Sequence, residues 1–298
     1  MRTLLTCRCP PPQIRHRTGG RHVRRETHPS SGGHRVTCLI RPGARPTLPA
    51  PAIPADVTDP AALTRAITGQ PFDAIVSGLA PRTATKRDAR AIDHDARLTA
   101  LRAAQTARIP RFILLSALCV QGPVLPCQHA KPAFGAELQS CGLIWSIVRP
   151  TACFKSLSGQ LDRLRAGKPF LRFGKGELTA CLTDPALQNR IRPIGGPGRA
   201  LTPRQIAEQL VRLLNRKPGF SRVPVGLMDA LIASLTTLGP IVPGLRDWAG
   251  LARIGRYYAT GACDADATPE TGSDTLFDFH ARLLRGEVAV DRGDHAVF

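Results

Sequence analysis

The chain has 298 residues, 43% of them hydrophobic, and a formal net charge of +19, enough apolar material for one large α/β domain or a domain plus a lobe. No run of about 18 apolar residues occurs, the nearest being Leu227 to Leu238, so a bilayer-spanning helix is excluded. Nine cysteines without a Cys-x-x-Cys pair speak for reduced thiols and a cytoplasmic setting, and no metal site is assigned.

The charge is concentrated at the start, where the first 45 residues hold ten Arg and a single acid, Glu26. Residues 1–33 contain Cys7-Arg8-Cys9, Pro10-Pro11-Pro12 and His-containing basic clusters, with almost no aliphatic periodicity after Leu5. They are expected to lie outside any folded element, as an Arg-rich targeting peptide, a nucleic-acid or membrane arm, or a damaged, frame-shifted start. No aromatic-interleaved basic patch supports nucleic acid as a partner. Arg outnumbers Lys 35 to 6, which fits a GC-rich genome and a bacterial host, with a plastid protein as the alternative.

From His34 the pattern becomes β-like, with Arg35-Val36-Thr37-Cys38-Leu39-Ile40, and no first strand is evident ahead of it. Thr58 or Asp59 is placed to cap a helix opening at Pro60 and running to residue 68. Phe72 to Ala80 reads as a buried strand entering a small-residue loop. A helix over 88–107 carries Ile92, Ala96, Ala100 and Ala104 on one stripe. A strand over 111–116, a helix around Lys131 and the run Ile147-Val148-Arg149-Pro150-Thr151 complete the alternation. This pattern predicts a doubly wound parallel sheet over residues 34–150.

Past Pro150, a helix over Phe154–Ala166 and strands over Pro169–Phe173 and Asn189–Gly195 open a smaller mixed lobe, residues 151–298. Thr202-Pro203-Arg204-Gln205 is a capping box. Helices are expected to continue to Thr260, kinked at Pro240 and Pro243. Substrate is expected between lobe and sheet.

In such a fold the carboxyl edge binds the cofactor. Arg41, at the second strand's end, suits the 2'-phosphate of NADPH, although a solvated loop arginine would look the same. Asp56 is a candidate for the adenine edge or for a cap, and Ser77-Gly78-Leu79-Ala80 allows close backbone approach. A glycine-rich pyrophosphate turn is missing: Gly19-Gly20 and Gly32-Gly33 lack the spacing and the flanking strand and helix.

Ser116 followed by Lys131 resembles the short-chain dehydrogenase/reductase superfamily, whose usual machinery is a Ser and then Tyr-x-x-x-Lys. Here Cys127 stands four positions before Lys131, and the two tyrosines of the chain, Tyr257 and Tyr258, have no Lys four residues on. Phe72-Asp73-Ala74-Ile75-Val76-Ser77, Ala91-Ile92-Asp93-His94-Asp95-Ala96, Arg111 to Ala117, Gln128-His129-Ala130-Lys131, Ser146 to Thr151, Phe154 to Gln160, Pro193 to Gly198 and Ile254 to Thr260 together narrow the likeness. Over residues 34–298, in order, the chain resembles the divinyl chlorophyllide (protochlorophyllide) 8-vinyl reductases.

The resemblance implies NADPH-dependent reduction of the 8-vinyl group of a divinyl chlorophyll precursor to ethyl, in chlorophyll or bacteriochlorophyll synthesis. Lys131 would hold the nicotinamide ribose, joined by Pro150 at the cofactor. Ser116 would orient nearby, and Tyr257, Tyr258 and His129 are the candidate proton donors. Arg149, Lys155 and Arg163 are candidates for the substrate carboxylate, and Phe154, Leu157, Phe170 and Trp248 for an apolar slot around the macrocycle. A peripheral seat on a membrane remains open.

The chain also departs from that pattern. Ala180 to Pro185 looks joined across a missing helix-sized segment, Thr260 to Asp264 looks shortened, and Pro132 disfavours helical geometry at Lys131. The missing pyrophosphate turn and the two junctions predict weak or lost NADPH binding. A non-catalytic NADP-sensing regulator is therefore the alternative.

Overall fold

In the computed structural model, residues 2–7, 34–43, 50–81, 85–120, 123–150, 187–197, 203–214, 225–242, 244–259, 269–270 and 274–287 are described. Seven strands are present among them: β1 (Arg2–Cys7), β2 (Arg35–Ile40), β3 (Ala52–Pro54), β4 (Ala74–Gly78), β5 (Arg111–Leu115), β6 (Ile144–Pro150) and β7 (Arg190–Ile194). All pair in parallel, in the order β3-β2-β1-β4-β5-β6-β7. The predicted doubly wound sheet is the architecture found.

One expectation is corrected. Residues 2–7 form a strand, and it is central: Leu4 pairs with Thr37 on one side and Ile75 on the other. Read alone, Arg-Thr-Leu-Leu-Thr-Cys is too short and too close to the basic stretch to signal a strand. Two ready-made neighbours supply the ladder partners that decide it. The predicted gap at the first strand therefore does not exist, and the segment expected to hold a pyrophosphate turn lies outside the described residues.

One face of the sheet is covered by α1 (Pro60–Ile67), α3 (Ala96–Thr106) and α4 (Pro126–Gln139). Asp59 caps α1, accepting from the backbone of Ala61 and Ala62 at 2.9 and 3.0 Å, with Pro60 opening the helix. Leu4, Ile75, Phe112, Leu114 and Ile147 from the strands meet Leu63, Ile67, Leu101, Phe134 and Leu138 from the helices in one core. Phe112 and Phe134 lie ring to ring at 5.9 Å, tilted by 58°.

The predicted helix over 88–107 is not uniform. A short turn α2 (Lys86–Asp88), capped by Thr85, leads into a π-helical stretch over Ala89–Asp95 before α3 begins. The wider winding is marked by the Ala96 amide donating to Ala91 O, five residues back. A second correction concerns Pro132, which α4 accommodates within its fourteen residues. The lost donor costs one intrahelical bond, and Phe134 and Leu138, both past that loss, anchor the helix by packing into the core.

At the helix start, the Gln128 side chain reaches back to accept from the Val124 and Leu125 amides, both at 2.8 Å. The predicted helix over Phe154–Ala166 and strand over Pro169–Phe173 lie outside the described residues.

Beyond β7 come α5 (Pro203–Leu213), α6 (Val225–Leu238), α7 (Leu245–Ala259) and α8 (Leu276–Leu284). Pro240 does not kink one long helix but lies in the break between α6 and α7, which pack on each other as a hairpin, and Pro243 lies outside the described residues. Gly239 permits the close turn, since a Cβ there would sit 2.8 Å from Arg246 Cγ and 3.0 Å from Leu235 O. Gly195, just past β7, bridges to Glu270 and so ties α8's approach to the sheet edge.

Candidate active site

The strand order reverses direction between β1 and β4, and their carboxyl ends meet where Cys7 pairs with Gly78. In open parallel sheets that switch point is the crevice that receives a ligand. Arg41 follows β2 directly and is exposed there. Asp56 Oδ1 accepts from Thr58 N at 2.8 Å and Thr58 Oγ1 at 2.7 Å, so this carboxylate shapes the turn into α1 while Asp59 does the capping.

Ser77 is wholly buried, and its hydroxyl has no hydrogen-bond partner among the described residues. It shares strand parity with Ile75, so the side chain enters the core while the backbone of Ser77 and Gly78 stays at the crevice. Leu79 packs on Ile92 and Ala96, and Ala80 is half-buried behind it. This small-residue edge and the exposed Arg41 fit a phosphorylated dinucleotide.

Further along the edge, Ser116 continues the ladder, its amide donating to Val148 O at 2.8 Å. Pro150 closes β6 in register with Ile194. Arg149 shares parity with Ile147, on the α4 side of the sheet, and is half-buried with an unpartnered Nε. Burial pulls its pKa below the ordinary arginine value.

Lys131 is not free in the crevice. Its ammonium donates to Asp93 Oδ1 in a very close contact, and Arg97 reaches the same oxygen at 3.0 Å. Arg97 also donates to Leu79 O at 2.5 Å and to Asp93 O at 3.3 Å. Asp93 is 0% exposed and Arg97 1%, making a buried triad of two cations and one carboxylate. Burial, then the neighbouring Arg97 charge, pulls the Lys131 pKa down, while Asp93 opposes both.

The π-helical stretch makes this cluster: its extra residue per turn rotates Asp93 toward α4 while Arg97 points back to the Leu79 loop. Sequence reasoning singled out neither residue. The available signal was an Asp and an Arg four apart, flanking the apolar stripe of Ile92, Ala96 and Ala100.

At the starts of α2 and α4 opens a pocket of about 420 Å³. Thr85, Lys86, Leu125, Pro126 and Cys127 form one wall, at the starts of α2 and α4, and Thr236, Pro240, Arg246, Ala249, Gly250, Arg253 and Ile254 of the hairpin form the other. Cys127 is one turn from Lys131 on the same side of α4, which connects that wall to the triad, although no triad residue itself lines the pocket. Lys86, Arg246 and Arg253 make it apolar with a cationic rim, a pairing that only the folded hairpin assembles.

The other predicted residues separate. His129 is exposed, on the side of α4 away from Lys131. Tyr257 is buried in α7, about one turn from the pocket-lining Arg253 and Ile254. Trp248 is 56% exposed and is not among the lining residues. The Tyr258 side chain, Phe154, Lys155, Leu157, Arg163 and Phe170 lie outside the described residues.

Residues 16–175 match the NAD(P)H-binding family model. The chain is 39% identical, over 94% of its own length and 79% of the relative's, to the chloroplastic divinyl chlorophyllide a 8-vinyl-reductase of Oryza sativa subsp. indica. It is 40% identical to that of Zea mays, over 84% and 70% of the respective chains. With the Cucumis sativus relative the identity is 42% over 76% of this chain, which spans 62% of that protein's length.

Among solved structures, an NADPH-dependent quinone oxidoreductase from Escherichia coli superposes with a TM-score of 0.61 at 17% identity, covering 87% of this chain and 92% of that one. A nucleoside-diphosphate-sugar epimerase from Staphylococcus aureus gives 0.61 at 13% identity, covering 94% and 100%. These two likenesses concern the fold: a dinucleotide-type parallel sheet. With the family match and the plant relatives beside the switch-point crevice, the chain belongs to the divinyl chlorophyllide a 8-vinyl-reductase family of NAD(P)H-binding proteins.

Proposed function

We propose that this chain reduces the 8-vinyl group of divinyl chlorophyllide or divinyl protochlorophyllide to ethyl, using NADPH, in a bacterial phototroph's cytoplasm or, alternatively, a plastid. The observation that carries this reading is the linkage of two sites. The switch-point crevice flanked by Arg41 and the apolar pocket with its cations are linked through the buried triad: Arg97 donates to Leu79 O in the crevice loop and shares Asp93 with Lys131, one turn from the pocket-lining Cys127. NADPH supplies the hydride when bound.

Arg41 offers paired hydrogen bonds to the 2'-phosphate, and Asp56 lies beside the adenosine end. The backbone from Ser77 to Ala80, with Pro150, forms the surface on which the dinucleotide rests. Lys131, held by Asp93, presents a fixed ammonium for the ribose, with Ser116 on the neighbouring strand end.

The vinyl group conjugated with the macrocycle spreads the charge that hydride addition creates, so a carbonyl-type oxyanion donor is not demanded. A proton must still be delivered, and Tyr257, Tyr258 and His129 are the candidates, Tyr257 being nearest along α7 to the pocket wall. Lys86, Arg246 and Arg253 at the rim, with Arg149, Lys155 and Phe154, would receive the propionate and ring.

Incubating the purified chain with divinyl pigment and NADPH, and separating products by chromatography, should show conversion to the monovinyl form. NADPH binding by fluorescence titration without any conversion would instead select a non-catalytic NADP sensor. Arg41→Ala should weaken NADPH binding by about tenfold or more while leaving NADH binding nearly unchanged.

A further inference from the structure

Helix α6, Val-Gly-Leu-Met-Asp-Ala-Leu-Ile-Ala-Ser-Leu-Thr-Thr-Leu, carries a single charged residue, Asp229, yet not one of its described residues is buried. A helix of that composition is ordinarily found inside a core or in lipid. Its two polar attachments point one way: Asp229 holds Arg256 of α7 in a two-pronged ion pair, and Thr236 accepts from Arg253 at 2.7 Å.

Leu227, Leu231 and Leu238 lie about half a turn round from Asp229 and Thr236, and Ile241 continues their line past the helix end. They are 62%, 52%, 49% and 77% exposed. Trp248, at the start of α7, is 56% exposed. Fourteen residues are too few to cross a bilayer, and no helix among the described residues is long and apolar enough to do so.

The sequence that flanks α6 is basic. Residues 215–259 hold six Lys or Arg and two Asp, with Arg216, Lys217 and Arg222 immediately before α6 and Arg246 shortly after. Of the two acids, Asp229 is already bound to Arg256. A second copy placed on this stripe would bring like-charged surroundings together. An anionic lipid surface meets both requirements at once, covering the leucines and neutralising the cations, with an exposed Trp suited to the headgroup level.

We infer that α6 and the α6–α7 turn are a membrane-surface anchor, lying in the plane of an anionic leaflet with Leu227, Leu231, Leu238 and Ile241 inserted. Thr236 and Pro240, about half a turn round from that stripe, line the pocket, so the anchor occupies the side of α6 turned away from the pocket. The anchoring does not rest on the proposed substrate site.

The test is co-sedimentation of the full chain with phosphatidylcholine vesicles, with and without phosphatidylglycerol. Strong binding is expected to the anionic vesicles and weaker binding as salt rises. The variant carrying Leu227→Ser, Leu231→Ser and Ile241→Ser keeps every charge and touches no buried residue. It should lose affinity by about tenfold or more, with NADPH binding unchanged.

Trp248→Phe should remove the blue shift of Trp fluorescence on vesicle addition. Equal binding by the triple-serine variant would overturn the anchor and assign lipid affinity to the Arg-rich amino-terminal segment. A wild-type dimer that the variant converts to monomer, without vesicle binding, would overturn it in favour of a self-association face. Vesicle binding by a chain that proves inactive on pigment would leave the anchor standing and overturn the reductase reading alone.

Discussion

Two helical regions of this molecule share a similar amino-acid economy and have opposite fates. The layer of α3 and α4 contains Asp93, Arg97 and Lys131 in its interior, and its apolar residues are buried to the limit. The α6–α7 hairpin has a more apolar leading helix and leaves its leucines in the open. Hydrophobicity does not decide burial by itself. α3 and α4 have a sheet beneath them, whereas α6 is held chiefly by its contact with α7.

The comparison can be broken most sharply in the buried layer. Phe134→Ala should cost about 3–5 kcal/mol in urea unfolding, because it removes the ring that meets Phe112 and leaves a cavity no neighbour can fill. Asp93→Leu should cost a similar amount, about 3–5 kcal/mol, by leaving Lys131 and Arg97 without their shared carboxylate. Restoration of stability by adding Lys131→Met to Asp93→Leu would identify the uncompensated charge as the cause; no restoration would refute it.

A second buried titratable group is His280 in α8, fully buried with both ring nitrogens unpartnered among the described residues, and burial pushes its pKa down from 6.5 to about 4. Between those values the unfolded chain binds the proton and the folded one does not, so stability falls as pH drops from 6.5 toward 4. The integrated loss is about 3 kcal/mol. His280→Leu should flatten that limb of the stability profile, measured as unfolding midpoint against pH.

Smaller effects sharpen the contrast. Ser77→Ala should raise stability by about 1 kcal/mol, since its buried hydroxyl has no partner among the described residues to lose. A fall instead would place an unseen partner at that oxygen. On the hairpin, Leu231→Ala should change stability by less than about 0.5 kcal/mol, against several for the same kind of truncation at Leu138. Equal losses at the two sites would erase the distinction between a buried and an uncovered helix.

Much of the architecture is legible in the chain itself. Strands at 74–78, 111–115 and 144–150 and the helix at Pro60 carry their own signals: β-rich apolar runs, and Asp59 with Pro60 at a helix start. The motif run from Phe72 to Thr260 marks the family without reference to space. Arg41, Gly78, Ser116 and Pro150 are legible as edge residues because a parallel sheet delivers every strand's end to the same side.

Other features depend on contacts distant in sequence. Residues 2–7 become a strand only between β2 and β4, since six residues gain a ladder that their own composition does not demand. The lysine that reads as a lone catalytic candidate is in fact one corner of a buried triad, because a π-helical stretch and α4 come together there. The cationic pocket rim, likewise, joins residues from opposite ends of the chain. Local sequence determined the elements, the carboxyl-edge residues and the ancestry, since those follow from periodicity, capping and motif. Tertiary structure decided which charges share one carboxylate and which apolar helix stays uncovered, since burial depends on what the rest of the chain places against each surface.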